Sequence, residues 1–316
     1  MPESPRLVTS LQRILYLRRL PALATLPGAD IAAIAEHAQE RFFPPGSVLQ
    51  REGEPVTAVY FVVEGSLSVQ RRGVLLGRVG AGTAIGGFGL FARDPEGGAR
   101  VAAETDTLAL ELDADTMLEV LEDRFSILHH ILRDFSRQLI DLVVRFRLDP
   151  TRGIPGYDLP VDPTRELDLV ERIFFLRKMQ VFQRASINAL AELSRAMAQV
   201  RFEPGLTLWR EGDAGPGIFL ILSGTVRASS EARGLRFQPG PGFPLGAVEA
   251  VGEVPRWYDA VTETRLVALQ GNVEALIDVF EDNSEMAMQY LQVMAQAMLD
   301  ILESRSSPGD QAAAGL

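Results

Sequence analysis

The chain of 316 residues contains no cysteine and only three histidines. Without cysteine there are no disulfides, no thiolate metal ligands and no cysteine nucleophile. Two of the histidines, His129 and His130, are adjacent, whereas a helical metal-binding pair needs a spacing of three or four residues. A nucleophile elbow and a Walker loop are also missing from the sequence. We therefore expect neither a metal centre nor an enzyme.

Long hydrophobic runs are missing as well. No stretch approaches the roughly 20 consecutive apolar residues that a membrane-spanning helix needs, and residues 1–5 offer no apolar core of a signal peptide. The formal net charge of −11 repels a nucleic-acid backbone. The composition therefore predicts a cytoplasmic protein that neither enters a membrane nor binds nucleic acid directly.

What the sequence does contain is a long internal repeat. Residues 13–65 reappear without a gap 159 positions later. A repeat unit of about 150 residues has the size of a domain, so the chain is expected to hold two domains. We predict one at 1–148 and one at 166–304, joined by a linker at 149–165 with four prolines and two glycines and followed by a disordered tail at 305–316. The clearest matches are 13–19 with 172–178, 45–46 with 204–205, 51–53 with 210–212, and Gly65 with Gly224.

Each copy runs from a helical segment through short β-prone stretches to a long helix. The β-prone stretches, such as 58–63, 66–69 and 218–222, are separated by glycines. Closely spaced strands of this kind favour a barrel or jelly roll, because closure removes exposed sheet edges. The predicted fold class is α+β, mainly β, with two β-roll or jelly-roll domains that are each flanked by helices.

The closing segment of the first copy has the most regular apolar spacing in the chain. It predicts one long helix over 113–148, with Asp113 as its N-cap and Pro150 beyond its end. Such a heptad pattern favours pairing with another helix, and we expect a homodimer; packing on the domain's own barrel, or pairing within one chain, is the alternative. The seam residues are Leu121, Phe125, Leu128, Leu132, Phe135, Leu139 and Leu142.

The order Pro-Gly, Arg-Glu-Gly and an apolar run ending in glycine occurs in both copies, and it resembles the cyclic nucleotide-binding domain family of the catabolite activator protein and the kinase A regulatory subunit. The resemblance implies a phosphate-binding cassette in which a glutamate holds the ribose and an arginine pairs with the cyclic phosphate. In the first copy the glutamate position holds Gly87 and the arginine position holds Gly97. The matching cassette residues there are Gly86, Gly87, Phe88, Gly89 and Gly97.

The second copy retains part of this cassette. Gly246 is followed by Ala247 at the glutamate position, and Arg256 occupies the arginine position. Trp257 and Tyr258 replace the small residues that follow in the family, so we expect them to crowd the site. The resemblance further suggests that Asp259 pairs with Arg256, and that Glu249 is a surface residue rather than a ribose ligand.

The resemblance implies a non-catalytic regulatory or adaptor protein that acts through a protein partner, with the usual recognition of cAMP or cGMP lost or altered. A sensor of a cyclic nucleotide, a cyclic dinucleotide or another anionic ligand is the alternative. A transcription regulator is the weaker prediction, because the sequence leaves no room for a helix-turn-helix after either copy. No cofactor is expected apart from such a nucleotide ligand.

Overall fold

The computed structural model describes residues 9–92, 97–152, 162, 165–215 and 217–306. These residues divide into two compact units. Unit 1 comprises the described parts of Met1–His130 and Met294–Leu316, and unit 2 comprises those of Ile131–Val293. The division passes through two helices, so it does not coincide with the predicted domain boundaries. Most of the predicted linker at 149–165 and of the predicted tail at 305–316 lies outside the described residues.

Unit 1 opens with a helical hairpin and continues into two four-stranded antiparallel sheets. The first helix begins at a capping box, in which Thr9 accepts a hydrogen bond from Gln12 N while the Gln12 side chain accepts one from Thr9 N. The strand at 58–64 is an almost unbroken buried apolar run, as expected for a strand inside a sheet. The helices are α1 (Ser10–Leu17), α2 (Gly28–His37), α3 (Gly87–Ala92) and α4 (Ala114–Asp123), with a 3₁₀ turn at Pro21–Leu23. The strands are β1 (Gln39–Phe43), β2 (Val48–Gln50), β3 (Ala58–Glu64), β4 (Ser66–Arg71), β5 (Val74–Gly80), β6 (Ala84–Ile85), β7 (Arg100–Ala103) and β8 (Thr107–Asp113).

A second helix, α5 (Phe125–Arg145), follows α4 and passes from unit 1 into unit 2. The expected single helix over 113–148 is therefore wrong. Asp113 caps α4 as predicted, because its carboxylate accepts the Thr116 N–H at 2.9 Å. Arg124 then leaves the helical region, with φ −133° and ψ 85°, and breaks the run. The last helical residue is Arg145, well before Pro150.

This break divides the predicted heptad seam, and much of the seam is covered within a single chain. Leu121, Leu128, Leu132 and Phe135 are buried, so they offer no exposed stripe to a second copy. Phe125, Leu139 and Leu142 are half-buried. Of the predicted alternatives, packing within one chain describes this helix. Dimerisation itself stays a prediction, and this seam does not support it.

Unit 2 repeats the fold of unit 1 strand for strand. Its sheets have the orders β9-β16-β11-β14 and β10-β15-β12-β13, which match β1-β8-β3-β6 and β2-β7-β4-β5. The predicted α+β class with two β-rolls flanked by helices is confirmed. The strands are β9 (Ala198–Phe202), β10 (Thr207–Trp209), β11 (Gly217–Ser223), β12 (Val226–Ser230), β13 (Leu235–Phe237), β14 (Pro244–Leu245), β15 (Asp259–Thr262) and β16 (Leu266–Asn272). The helices are α6 (Leu169–Lys178), α7 (Ile187–Arg195), α8 (Ala247–Val251), α9 (Val273–Asp282) and α10 (Ser284–Ser306), with a 3₁₀ turn at Gln180–Phe182.

The helices leave no candidate for a membrane crossing: within the described residues, none combines sufficient length with sufficient hydropathy. The last helix, α10, continues to Ser306, two residues past the predicted end of the second domain. Its final part, from Met294, belongs to unit 1. There the Glu303 carboxylate pairs with Arg71, with 2.8 Å between Oε1 and Nε.

Candidate functional site

The candidate site of unit 2 is built around the short helix α8. Strand β14 pairs with β11 so that Leu245 lies opposite Phe219, and the next residue, Gly246, turns the chain into α8 with φ +80°. A Cβ atom at Gly246 would lie 2.5 Å from Nη1 of Arg256. Glycine is required here for both reasons: the left-handed backbone and the approach of the arginine. Ala247, at the family's glutamate position, is buried at the first residue of the helix.

Arg256 is held by the protein's own backbone. Its Nη1 donates to Gly246 O at 2.7 Å, and its Nη2 donates to Gly215 O at 2.9 Å and to Gly217 O. The guanidinium carbon lies 4.4 Å from the ring centre of Trp209, a cation–π distance. Only 4% of the residue is exposed. The donors that would pair with a phosphate are therefore already directed at protein acceptors.

Aromatic rings fill the space beside this arginine, as the sequence predicted for Trp257 and Tyr258. Tyr258 is 1% exposed, and its ring centre lies 4.7 Å from that of Trp257 and 4.9 Å from that of Phe237. Trp257 also stacks on Phe237 at 5.5 Å, and Trp209 meets Tyr258 edge to face at 5.7 Å. The four rings form one continuous apolar cluster, which we call the aromatic cluster: Trp209, Phe237, Trp257 and Tyr258.

Glu249 is the acidic partner of the site, which corrects the expectation of a surface residue. It is 4% exposed, and its Oε2 lies 3.9 Å from Nη1 of Arg256. The side chains of Trp257 and Tyr258 hydrogen-bond to its carboxylate. Burial raises the pKa of Glu249, against the opposing effect of these hydrogen bonds and of Arg256. Burial and the neighbouring Glu249 raise the pKa of Tyr258 well above its ordinary value.

Asp259 does not take the role expected for it. Its carboxylate accepts the Glu211 N–H at 2.7 Å, which fixes the turn that precedes β11. The predicted pairing of Asp259 with Arg256 is therefore wrong, and Glu249 from α8 provides the carboxylate instead. The physical reason is strand geometry: Asp259 is the third residue after Arg256 and already lies on β15, opposite Ser229.

The corresponding region of unit 1 is lined by glycines and a valine. Ile85 pairs with Tyr60, and the chain turns at Gly86 with φ +102°, where a Cβ atom would lie 2.5 Å from Ala58 O. Gly87, at the glutamate position, begins α3, and Phe88 beside it is half-buried. A Cβ atom at Gly89 would lie 2.7 Å from Cγ2 of Val56. The valine methyl thus occupies the space above the cassette.

The strand register supports the predicted alignment of the two cassettes. Phe219 follows Tyr60 by 159 positions, but Leu245, its partner on β14, follows Ile85 by 160. One extra residue in the second copy therefore precedes the cassette, and Gly86 and Gly246 are equivalent. Gly87 and Ala247 therefore occupy the same position of the repeat, as the sequence alignment predicted.

The arginine position needs a correction of one residue. Gly53 N donates to Gly98 O and Gly98 N donates to Glu54 O, as Gly212 N donates to Arg256 O and Arg256 N to Asp213 O. Gly98, and not Gly97, is therefore the backbone counterpart of Arg256. Gly97 has φ +78°, and a Cβ atom there would lie 2.3 Å from the carbonyl carbon of Gly53. The hydrogen bonds between the loops, rather than the count of residues from the cassette, decide the equivalence.

In unit 1 the side chain that hydrogen-bonds to the loop carbonyls is Gln50, which stands at the position of Trp209 in the repeat. Its Nε2 lies 3.0 Å from Arg51 O, 3.0 Å from Glu54 O and 3.2 Å from Pro55 O, and the residue is 8% exposed. A Cβ atom at Gly98 would lie 3.4 Å from this nitrogen. An uncharged amide therefore binds carbonyls at the start of this loop, whereas the guanidinium of Arg256 binds those of Gly215, Gly217 and Gly246, which are not their counterparts in the repeat.

Sequence reasoning missed Gln50, Val56 and Trp209. A signal for two of them was present, because Gln50 and Trp209 each stand directly before the Arg-Glu-Gly match of the repeat. A comparison of those flanking residues shows an amide exchanged for an indole.

Among the described residues, no three acidic or histidine side chains are grouped in a way that could hold a metal ion.

Comparison with known proteins agrees with this fold. The family profile for the cyclic nucleotide-binding domain matches residues 40–124 and 199–283, one segment in each copy. A cGMP-dependent protein kinase of Caenorhabditis elegans, egl-4, is 25% identical over 231 residues, which are 73% of this chain and 24% of the kinase. A CRP-like cAMP-activated global transcriptional regulator of Mycobacterium tuberculosis is 29% identical over 127 residues, 39% of this chain and 57% of the regulator. The chain thus spans about a quarter and a little over half of these two relatives.

Solved structures with a similar chain include regulatory subunits of cAMP-independent protein kinase A from two trypanosomes. The one from Trypanosoma brucei is 17% identical, covers 96% of this chain and 94% of its own, and gives a TM-score of 0.34. The one from Trypanosoma cruzi, bound to guanosine, is 18% identical, covers 92% and 91%, and gives the same TM-score. The family assignment rests on the profile, which matches more than half of the chain and both of its sheet pairs. The chain therefore belongs to the cyclic nucleotide-binding domain family and carries two copies of that domain.

Proposed function

We propose that this chain is a non-catalytic regulatory or adaptor protein of the cytoplasm in which neither domain recognises cAMP or cGMP in the usual way. The observation that carries the proposal is the state of Arg256. Three backbone carbonyls accept its hydrogen bonds, Trp209 covers its face and Glu249 lies 3.9 Å away. A cyclic phosphate would have to displace all of these partners, and each loss of a buried hydrogen bond to a charged group costs about 1.5–3 kcal/mol.

The first domain supports the same proposal by a different route. Gly87 and Gly98 stand at the two positions where the family places charged ligands, and a glycine offers no side chain to ribose or phosphate. The methyl group of Val56 lies where Cβ atoms of Gly89 and Gly98 would be. Binding of a nucleotide here would need both new polar contacts and removal of that methyl group.

A protein partner is the expected recipient of the information these domains carry. Within unit 2, α5 contacts the turn that follows α8: Arg137 Nε donates to Gly252 O at 2.6 Å, and Arg133 Nη1 lies 3.4 Å from the Glu253 carboxylate. The part of α5 that belongs to unit 2 is thus bonded to the turn after α8. A change at one of these elements would be transmitted to the other without a nucleotide.

Isothermal titration with cAMP, cGMP and cyclic di-GMP tests the proposal. We expect no binding heat for any of the three up to about 1 mM, a concentration at which weak ligands still register. Micromolar binding of any of them to the wild-type protein would overturn the proposal. In that case, loss of binding in Arg256→Ala but not in the exposed control Arg236→Ala would place the ligand in the second domain and favour the sensor alternative.

A further inference from the structure

The opening helices α1 and α6 expose the same two apolar positions. Leu11 and Leu15 on α1 are 64% and 52% exposed, and Val170 and Phe174 on α6 are 61% and 67% exposed. Each pair is spaced by four residues, so its members lie on one helix face, and the two pairs are 159 positions apart. Large apolar side chains that are exposed together, rather than singly, mark a contact surface.

The two faces differ in the charges at their ends. At the C-terminal end of α6 stands Lys178, which is exposed and makes no ion pair within the described residues. At its N-terminal end stand Glu166, 68% exposed, and the exposed N-cap Asp168. The first copy has Arg19 at the place of Lys178, but Leu7 at the place of Glu166 and no acidic residue in the first turn of α1. Of these two helices, α6 is therefore the one with acidic residues at its N-terminal end and a basic residue at its C-terminal end.

We propose that the exposed face of α6 pairs with the same face of a second copy of this chain, in antiparallel orientation about a two-fold axis near Arg172. That axis places Val170 against Phe174 of the second copy and brings Lys178 near Glu166 of the second copy. A two-fold contact uses one patch on both chains, so each interaction occurs twice and the assembly closes as a dimer. A parallel arrangement would set the two lysines side by side and is disfavoured.

The ion pairs that Glu166 makes within its own chain leave it available for this contact. Its oxygens lie 3.5 Å from Arg172 and 3.6 Å from Arg201, long distances at an exposed carboxylate. The contact area of one ten-residue helix is modest, and interfaces below about 1,200 Å² in total belong to the weak class. The dimer is therefore expected to form only as the protein concentration rises.

Sedimentation equilibrium over about 5–500 μM tests the pairing. We expect the mass of the wild-type protein to rise from 34.6 kDa toward twice that value with concentration. Phe174→Asp should remain a monomer, because it buries a carboxylate against Val170 of the second copy. Leu15→Asp is the matched control: it makes the same change at the equivalent position of α1, and it should dimerise like the wild type. A wild-type protein that stays at 34.6 kDa, or a Phe174→Asp variant that still dimerises, would overturn the proposal.

A zero-length carbodiimide cross-link tests the orientation. Lys178 is the single lysine of the chain, so it is the only side-chain amine that the reagent joins to a carboxylate. A helix of ten residues is about 15 Å long, which is too far for Lys178 to reach Glu166 of its own chain. We expect a dimeric product with a Lys178–Glu166 linkage, and none in Lys178→Arg, which keeps the charge. A dimer that gives no such linkage would contradict the antiparallel arrangement.

Discussion

The two β-rolls place large and small side chains at opposite positions around the loop beside the cassette. Unit 2 has the large residues Trp209 and Arg256, and unit 1 has Gln50 and Gly98 at their positions. At the third position the order is reversed, with Gly215 in unit 2 and Val56 in unit 1. In unit 2 the arginine extends toward the free space at Gly215. In unit 1 the valine extends toward the free space at Gly98. The side chain that approaches a facing glycine thus comes from opposite sides in the two units.

This difference teaches that a glycine and a larger side chain exchange places across the loop between the two units. Protein interiors are packed densely, and an unfilled volume costs stability, so a glycine at the arginine position demands a larger residue nearby. Val56 meets that demand in unit 1, where its Cγ2 atom lies 2.7 Å from the place of a Cβ atom at Gly98. Each unit also directs one side-chain donor at carbonyls of this loop, an amide in unit 1 and a guanidinium in unit 2, but the carbonyls stand at different positions of the repeat.

The two solutions also differ in electrostatics. Unit 1 closes with uncharged groups, whereas unit 2 buries Arg256 together with Glu249. A buried ion pair costs desolvation and is sensitive to removal of either member. Unit 2 is therefore expected to respond more strongly than unit 1 to substitutions of its site and to pH.

The largest expected effect is that of Tyr258→Ala. The substitution removes a fully buried ring from the aromatic cluster and a hydrogen bond from Glu249, and truncations of this kind cost about 3–5 kcal/mol. Both tryptophans of the chain, Trp209 and Trp257, lie in unit 2, so their fluorescence during urea denaturation reports on this unit.

The counterpart of Tyr258 in unit 1 is Ala99, because Arg100 pairs with Gln70 as Asp259 pairs with Ser229. Ala99→Gly should cost about 0.5–1 kcal/mol, because only a methyl group and backbone entropy are involved. Its unfolding is followed by circular dichroism. Equal losses of stability in the two variants would show that the aromatic cluster adds nothing to the closure of unit 2.

Arg256→Met should have the next largest effect. Methionine keeps much of the volume but donates no hydrogen bond, so three loop carbonyls lose their donor and the Glu249 carboxylate loses its neighbouring cation. We expect a loss of about 1.5–3 kcal/mol in the urea denaturation of unit 2, and partial recovery when Glu249→Gln is added.

The counterpart in unit 1 is Gln50→Met, which removes an uncharged donor and should cost about 1 kcal/mol. If Glu249→Gln makes Arg256→Met worse instead of better, then the carboxylate is not the group that depends on the arginine.

The sequence predicted the repeat and the two β-rolls, because turns that need a glycine and short apolar runs have few structural alternatives. Gly46 and Gly205, for example, both have φ +86° in matching turns. It also predicted that Trp257 and Tyr258 crowd the site of unit 2.

The sequence did not predict which groups those residues contact. Glu249 is buried because it lies on the inner side of α8. Gly98, rather than the predicted Gly97, is the counterpart of Arg256, because the backbone hydrogen bonds between the loops fix the equivalence. The break between α4 and α5 was missed for a related reason: an apolar heptad continues through Arg124, whose backbone leaves the helix without any change in the pattern. Such features depend on tertiary contacts that no local spacing encodes.

The smallest expected effect is the pH dependence that Glu249 gives to unit 2. Because burial raises the pKa of this carboxyl, the folded protein keeps the proton at pH values where the unfolded chain, with an ordinary pKa of about 4.3, has lost it. Folding then takes up a proton, so the stability that the carboxyl contributes falls as pH rises above about 4.3 and becomes constant above the raised value. Glu249→Gln cannot ionise, and we expect the wild type to lose stability relative to it across this window. Urea denaturation followed by tryptophan fluorescence from about pH 4 to about pH 8 measures the difference. A difference that does not change with pH would mean that Arg256 fully offsets the burial, and one that favours the wild type as pH rises would mean that the ion pair dominates the site.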